Sequence, residues 1–277
     1  MSVLSTVYII SKGRPQCHTA RSLTKMNYPG DWFIVCGNND DTLDQYLVNW
    51  GSERVLVFDW YEAVKNTDTM DNFGFDDMAS GAVPARNAVF DFSRERGERR
   101  HWQFDDDYTG FQITDPKTMK RPVEKNGERF MRVLERLAEF GDSTGLANVG
   151  FAPASIESSP QNFGSYARRV FNAHNMSNDA CETWRGRMND DLINAIDTYR
   201  RGKAELSFKF ISMNMPNTQK EGGGLTDIYK EEGTVRKTAY AIMAAPGQVR
   251  LVEKFGRYHH SADWNGLCPK IVSGAYA

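Results

Sequence analysis

Short apolar runs, each stopped by turn residues, open the chain. Val7, Tyr8, Ile9 and Ile10 form a β-branched and aromatic run that ends at Ser11, Lys12, Gly13, Arg14 and Pro15. A continuous apolar run of this length reads as a buried strand. Trp32, Phe33, Ile34, Val35 and Cys36 make a second, ended by Gly37, Asn38, Asn39 and Asp40, and Val55, Leu56, Val57 and Phe58 make a third. Between them, residues 16–26 and the stripe Leu43, Tyr46 and Leu47 read as helices. Strands alternating with helices predict an α/β fold with a mostly parallel, doubly wound central sheet. In such sheets ligands collect outside the carboxyl ends of the strands. The residues after Ile10, Val35 and Phe58 are therefore the first place to seek a site.

Further along, residues 60–82 are polar, carry Asp71, Asp76 and Asp77, and read as a loop. Pro84 suits the first turn of a helix over 84–96. His101, Trp102, Gln103 and Phe104 form the next strand. Phe130, Val133, Leu134, Leu137 and Phe140 recur at helical spacing. So do Leu192, Ile193, Ile196 and Tyr199, with Asn189 or Asp190 placed to cap that helix. After residue 204 the pattern turns to short strand-like pieces at 206–213, 239–243 and 249–252, separated by glycine-rich turns. No repeat or linker interrupts it. We expect a single domain over 1–277.

The 277 residues are 40% hydrophobic and 25% charged, which excludes a disordered or fibrous chain. Net charge is −2, from 34 basic and 36 acidic residues, so a generally basic nucleic-acid binder is excluded. Any such contact has to come from a local patch. Basic residues gather at Arg94, Arg96, Arg99 and Arg100, at Lys117, Lys120, Arg121 and Lys125, and at Arg168, Arg169, Arg185 and Arg187. These can follow a phosphate backbone or be solvated faces. Cys17, Cys36, Cys181 and Cys268 fit neither a disulfide scaffold nor a zinc module. Reduced thiols point to a cytoplasmic location. The first residues lack a signal-peptide pattern, and no run is long enough to span a membrane.

Asp105, Asp106 and Asp107 are the main chemical feature. Three adjacent carboxylates repel unless a cation or solvent relieves them. On extended chain the first and third face the same way. Asp105 and Asp107 can then share one Mg²⁺ or Mn²⁺ with the phosphates of a ligand. His259 and His260 are adjacent, and imidazole is a ligand for such ions, but on a strand only one of them reaches a given metal. Gly222, Gly223 and Gly224, after Lys220, can wrap an anion with backbone N–H groups or form a plain loop. Arg236 and Lys237 can supply counter-charge to a diphosphate. Asp190 and Asp191 either cap a helix and balance its dipole or offer a general base. Trp184 and Tyr166 fit core packing or base stacking.

In their order these features resemble a GT-A (Rossmann-like) glycosyltransferase. The resemblance lies in Ala85-Arg86-Asn87, in Asp105-Asp106-Asp107 about twenty residues on, in Asp190-Asp191 at a helix start and in the late His259-His260. More narrowly, the chain resembles the TET/JBP-associated glycosyltransferases of bacteriophages. That match rests on Ile9-Ile10-Ser11-Lys12-Gly13-Arg14, Trp102-Gln103-Phe104-Asp105-Asp106-Asp107, Gln219-Lys220-Glu221-Gly222-Gly223 and Arg257-Tyr258-His259-His260. The resemblance implies transfer of a sugar from a nucleotide sugar, a UDP-sugar by expectation, to 5-hydroxymethylpyrimidines in DNA, with 1–110 as a nucleotide-binding half and 111–277 as an acceptor-binding half. It implies a donor site at Ser11, Lys12, Gly13, Arg14, Arg86, Asn87, Asp105, Asp106, Lys220, Gly222, Gly223 and Arg236. It further implies Mn²⁺ or Mg²⁺ at Asp105, Asp107 and His259 or His260, and Asp191 or Asp190 as base. Three rivals stand beside it: transfer to a glycan, protein or small molecule; a nucleotidyltransferase; and a non-catalytic nucleotide-sugar-binding protein.

Overall fold

The computed structural model describes residues 6–71, 82–154, 164–166, 168–181, 183–215, 226–254 and 256–270. The first half runs β1 (Val7–Ile10), α1 (His18–Lys25), β2 (Trp32–Gly37), α2 (Leu43–Trp50), β3 (Val55–Phe58), α3 (Trp60–Lys65), α4 (Val83–Glu95) and β4 (Arg100–Asp105). It continues through β5 (Gly110–Ile113), α5 (Gly127–Thr144), β6 (Asn148–Pro153), β7 (Gly164–Tyr166), β8 (Ala173–Ser177) and α6 (Asp190–Arg200). Last come β9 (Glu205–Asn214), α7 (Thr226–Ala244), β10 (Val249–Lys254), β11 (Arg257–Ala262) and α8 (Trp264–Leu267).

One nine-stranded sheet runs β3-β2-β1-β4-β8-β6-β9-β5, with β7 also on β9. β1, β2, β3, β4, β6 and β9 point one way, and β8, β5 and β7 run against them. The architecture is α/β with a mostly parallel central sheet. The apolar runs explain its middle. In β1, Val7 and Ile9 face a core shared with Leu23, Tyr46, Phe130 and Leu134, while Tyr8 and Ile10 face a second core with Val35 and Val89. Side chains alternate between faces along a strand, so a strand covered on both faces must be apolar throughout. No helix of the described residues is long and apolar enough to cross a membrane. All four cysteines are buried free thiols. Burial lifts the Cys17 and Cys36 thiols far above their ordinary range, so they are inert.

Two expectations fail for physical reasons. The apolar piece at 239–243 lies inside α7, not in a strand. A short apolar run has no period that separates strand from helix. Here Tyr240, Ala241 and Ala244 are buried together on a helical face. The expected loop at 60–82 begins with α3. Its start is written in Asp59 and Glu62: the Asp59 carboxylate accepts from the Glu62 N–H at 3.1 Å, an N-cap bond.

Candidate active site

The carboxyl ends of β1 and β4 lie side by side, with Ile10 in register with Asp105. The turn after β1 is fixed by its own polar groups. Gly13 takes φ +69°, a conformation glycine adopts without strain. Its N–H donates to Asp40 at 2.8 Å, and the Arg14 N–H donates to the Tyr46 hydroxyl at 2.8 Å. The Ser11 hydroxyl donates to Asp106 Oδ2 at 2.5 Å, and Arg14 Nη1 donates to Asp106 Oδ1 at 3.0 Å. Asp106 is thus a buried latch between the two strand ends, with both oxygens engaged. Burial raises its pKa, and Arg14 and Ser11 only partly offset this.

Its neighbours differ. β4 ends at Asp105, and Asp106 and Asp107 already belong to a turn, so the expected extended Asp-x-Asp pleat does not continue past Asp105. The start of α1 holds that turn, with Thr19 Oγ1 donating to the Asp105 carbonyl at 2.6 Å and the Thr19 N–H to the Asp106 carbonyl at 3.1 Å. The Asp105 carboxylate is shared by Arg86 Nη2 at 2.8 Å and Asn172 Nδ2 at 2.9 Å. Asp107 Oδ1 is buried and accepts no hydrogen bond. Burial, reinforced by Asp105 and Asp106, pushes the Asp107 pKa up to about 7.

Arg86 joins this turn to the start of α6. Its Nε donates to Asp190 Oδ2 at 3.1 Å, and its guanidinium lies 4.7 Å over the Trp184 ring. Burial opposes the Arg86 charge, but Asp105 and Asp190 more than offset it and hold its pKa above the ordinary value. Burial raises the pKa of Asp190, with Asp191 and Asp105 adding to it against Arg86. Asp191 Oδ1 accepts from Arg169 Nη1 and from the Leu192 N–H, at 3.0 and 2.8 Å. Asn189 occupies the N-cap position with φ 59° but makes no capping bond; its side chain donates instead to the Lys237 carbonyl at 2.6 Å.

These groups line a cleft of about 460 Å³. Its walls include Ser11, Lys12, Arg14, Arg86, Asp105, Asp106, Asp107, Asp190 and Asp191, the core of the expected site. They also include Trp60, Asn39, Arg169, Phe171, Asn172 and Lys237. Lys12 Nζ sits 5.3 Å over the Trp60 ring at one end, and Arg169 stacks 4.3 Å over Phe171 at the other. Burial lowers the pKa of Lys237, although Asp191 pulls it back.

The sequence profile of the TET-associated glycosyltransferases matches residues 5–224. The chain belongs to that family. It is therefore a glycosyltransferase, and membership implies a nucleotide-sugar donor. No curated protein matches the sequence. The family match takes in the β1 turn, Arg86, the three acids and Asp190-Asp191, and it stops before α7, β10 and β11.

Within this glycosyltransferase some expected site residues stand apart. Asn87 is not a wall of the cleft; its amide exchanges two bonds with the Trp184 backbone, at 2.9 and 2.7 Å, and so braces that segment. Trp184 itself is buried beneath Arg86, in the core role. Arg236 is not on the cleft wall, and its charge acts on Tyr240, whereas its neighbour Lys237 is. His260 on β11 meets the Asn189 side chain at 3.4 Å, and burial together with Arg169 lowers its pKa to about 4. His259 alternates to the other face of β11. Among the described residues no three His, Cys, Asp or Glu side chains are placed to hold one metal ion together, so these histidines do not join Asp105 and Asp107 in such a group. Lys220, Gly222 and Gly223 lie outside the described residues, as does the Tyr166 side chain.

Some basic residues read as patch candidates are buried or held in ion pairs. Arg100 is 2% exposed and donates to the Leu146, Ala147 and Asn175 carbonyls. Arg185 is held by Asp197 and Arg187 by Asp71. Beneath the site, Glu205 is fully buried on β9, where it accepts from the Val170 N–H at 3.2 Å. Burial pushes its pKa up to about 8, against the opposing hydrogen bonds from the Val170 N–H and Asn148. It supports the segment that carries Arg169, Phe171 and Asn172.

Proposed function

We propose that this glycosyltransferase moves a sugar from a nucleoside-diphosphate donor to the hydroxymethyl group of a modified pyrimidine in DNA, with a divalent cation at Asp107. Family membership supports the transfer and the resemblance supports the acceptor. The observation that carries the site is the buried, unpartnered oxygen of Asp107 on the cleft wall. An unsatisfied carboxylate oxygen among three acids is costly without a counter-ion. Its hard oxygen fits Mn²⁺ or Mg²⁺, with donor phosphates completing the shell. When bound, the cation supplies positive charge where negative charge builds on the leaving diphosphate.

The chain's own residues do the rest. Asp106, Ser11 and Arg14 lock the β1 turn against β4, which fixes the floor on which the donor rests. Trp60, Phe58 and Lys12 form a flat, partly apolar end that fits the nucleoside. Arg86 holds Asp105 and Asp190 in one ion-pair chain, so the donor turn and the start of α6 keep a constant separation. Asp191, oriented by Arg169, accepts the proton of the acceptor hydroxyl. The hydroxyl oxygen bonds to the anomeric carbon, the bond from that carbon to the phosphate oxygen breaks, and its electron pair leaves with the diphosphate. A base within duplex DNA must leave the stack to enter such a cleft.

Calorimetric titration of UDP-glucose and other nucleotide sugars, with Mn²⁺ and with a chelator, tests the donor site. One donor should bind only when the cation is present. Equal affinity in chelator would contradict the assignment of a cation to Asp107.

A further inference from the structure

We infer that the β10–β11 hairpin is a docking surface for the phosphate backbone of duplex DNA, made by Arg250, Lys254 and Arg257. The inference rests on the DNA acceptor proposed above. It concerns a part of the chain that the family match does not reach.

The hairpin's register decides its faces. Arg250 pairs with Ser261, Val252 with His259 and Lys254 with Arg257. Directly opposed residues of an antiparallel pair share a face. One face therefore carries Arg250, Lys254, Arg257 and His259. The other carries Val249, Leu251, Glu253, Tyr258, His260 and Ala262. That second face is anchored at one end: Val249 is buried with Ala262 packed against the same core, and His260 meets the cleft residue Asn189, while its Leu251, Glu253 and Tyr258 are exposed. On the cationic face Arg250, Lys254 and Arg257 are all exposed, with Val252 and His259 between them half-buried.

The cleft arginines and Arg96 are cancelled at short range: Arg14 by Asp106, Arg86 by Asp105 and Asp190, Arg96 by Asp31 and Glu98, Arg169 by Asp191. Exposed cations such as Arg21, Lys117 and Lys120 stand outside ion pairs among the described residues, as the hairpin's do, but on the hairpin three of them share one face of a strand pair. Among the described residues, Arg250, Lys254 and Arg257 take part in no ion pair. The single acid on these strands, Glu253, points to the opposite face. Lys254 and Arg257 stand directly across from each other, an arrangement that destabilises a strand pair unless an anion lies over it. Single charges are used to blunt exposed sheet edges, but that use needs no like-charged pair. A two-stranded ribbon with cations on one face complements the charge of a DNA backbone, and such ribbons fit the major groove. Its anchored face touches the residue that precedes Asp190 and Asp191. The hairpin thus borders the cleft, with its cationic face on the side turned away from Asn189.

The test compares wild type with Arg250→Ala, Lys254→Ala and Arg257→Ala combined. Binding to a hydroxymethylcytosine duplex is followed by fluorescence anisotropy between 50 and 300 mM salt, and transfer to the same duplex is measured as KM and kcat. Donor binding by calorimetry checks that the variant is folded. Removing three phosphate contacts should lower the slope of log K against log salt by about 2–3. KM for DNA should rise tenfold or more. A wild-type slope and KM in the variant, with wild type active on DNA, would overturn the hairpin inference and leave the acceptor reading standing. A wild-type protein that neither binds nor modifies DNA would overturn both.

Discussion

Asp107→Asn should lower sugar transfer by about a thousandfold or more, the scale expected when charge stabilisation of the leaving group is lost. The same substitution should raise Tm. Asp107 carries a buried carboxylate oxygen with no donor, beside two further acids. Removing the charge relieves a desolvation and repulsion cost of about 1–2 kcal/mol, or roughly 2–5 °C for a chain of this size. Opposite signs in activity and stability mark a residue kept for function. Thermal unfolding and a transfer assay on one preparation check both. A variant less stable than wild type would make Asp107 a structural residue, and a fully active one would remove the cation from the mechanism.

Asp191→Asn should reduce kcat by 10²–10⁴-fold, the range for loss of a general base, with the donor dissociation constant within about threefold of wild type. The amide keeps the shape of the carboxylate and an acceptor for Arg169, which now pairs with Asp191 at 3.0 Å. Asp190→Asn should behave differently. Asp190 is tied through Arg86 to Asp105, so its loss loosens the donor turn and weakens donor binding as well. Steady-state kinetics with donor and acceptor varied separately distinguish the two. An Asp191→Asn enzyme with wild-type kcat would move the base to Asp190, or to a mechanism with no protein base.

The parts legible in the sequence are those whose cause is local. Both-face burial makes β1, β2 and β3 continuous apolar runs, and the fold class follows from their alternation with helices. Because sites collect at the carboxyl ends of such strands, Ser11, Lys12, Arg14 and the three acids could be placed in one cleft. What the sequence hid is set by register across the sheet. β8 runs antiparallel to β4 with Gln103 opposite His174. Continued two residues, that register carries Asn172 to Asp105, a contact between residues 67 positions apart. No local pattern announces it. Arg169 and Phe171 arrive by the same segment. Trp60 and Asn39, by contrast, follow the ends of β3 and β2, where the strand-end rule directs attention. Two members of the basic clusters depart from either surface reading because charge along a chain says nothing of partners: Arg100 and Arg187 are buried among acceptors that lie far away in sequence.

Incubation of the protein with hydroxymethylcytosine- or hydroxymethyluracil-containing duplex DNA, Mn²⁺ and a panel of nucleotide sugars, followed by nucleoside digestion and mass spectrometry, tests the central claim most directly. The account predicts a modified nucleoside heavier by one sugar unit with at least one donor, and its loss in chelator and in Asp107→Asn. Unmodified nucleosides with every donor, from a protein that binds a nucleotide sugar in the presence of Mn²⁺, would contradict DNA as the acceptor.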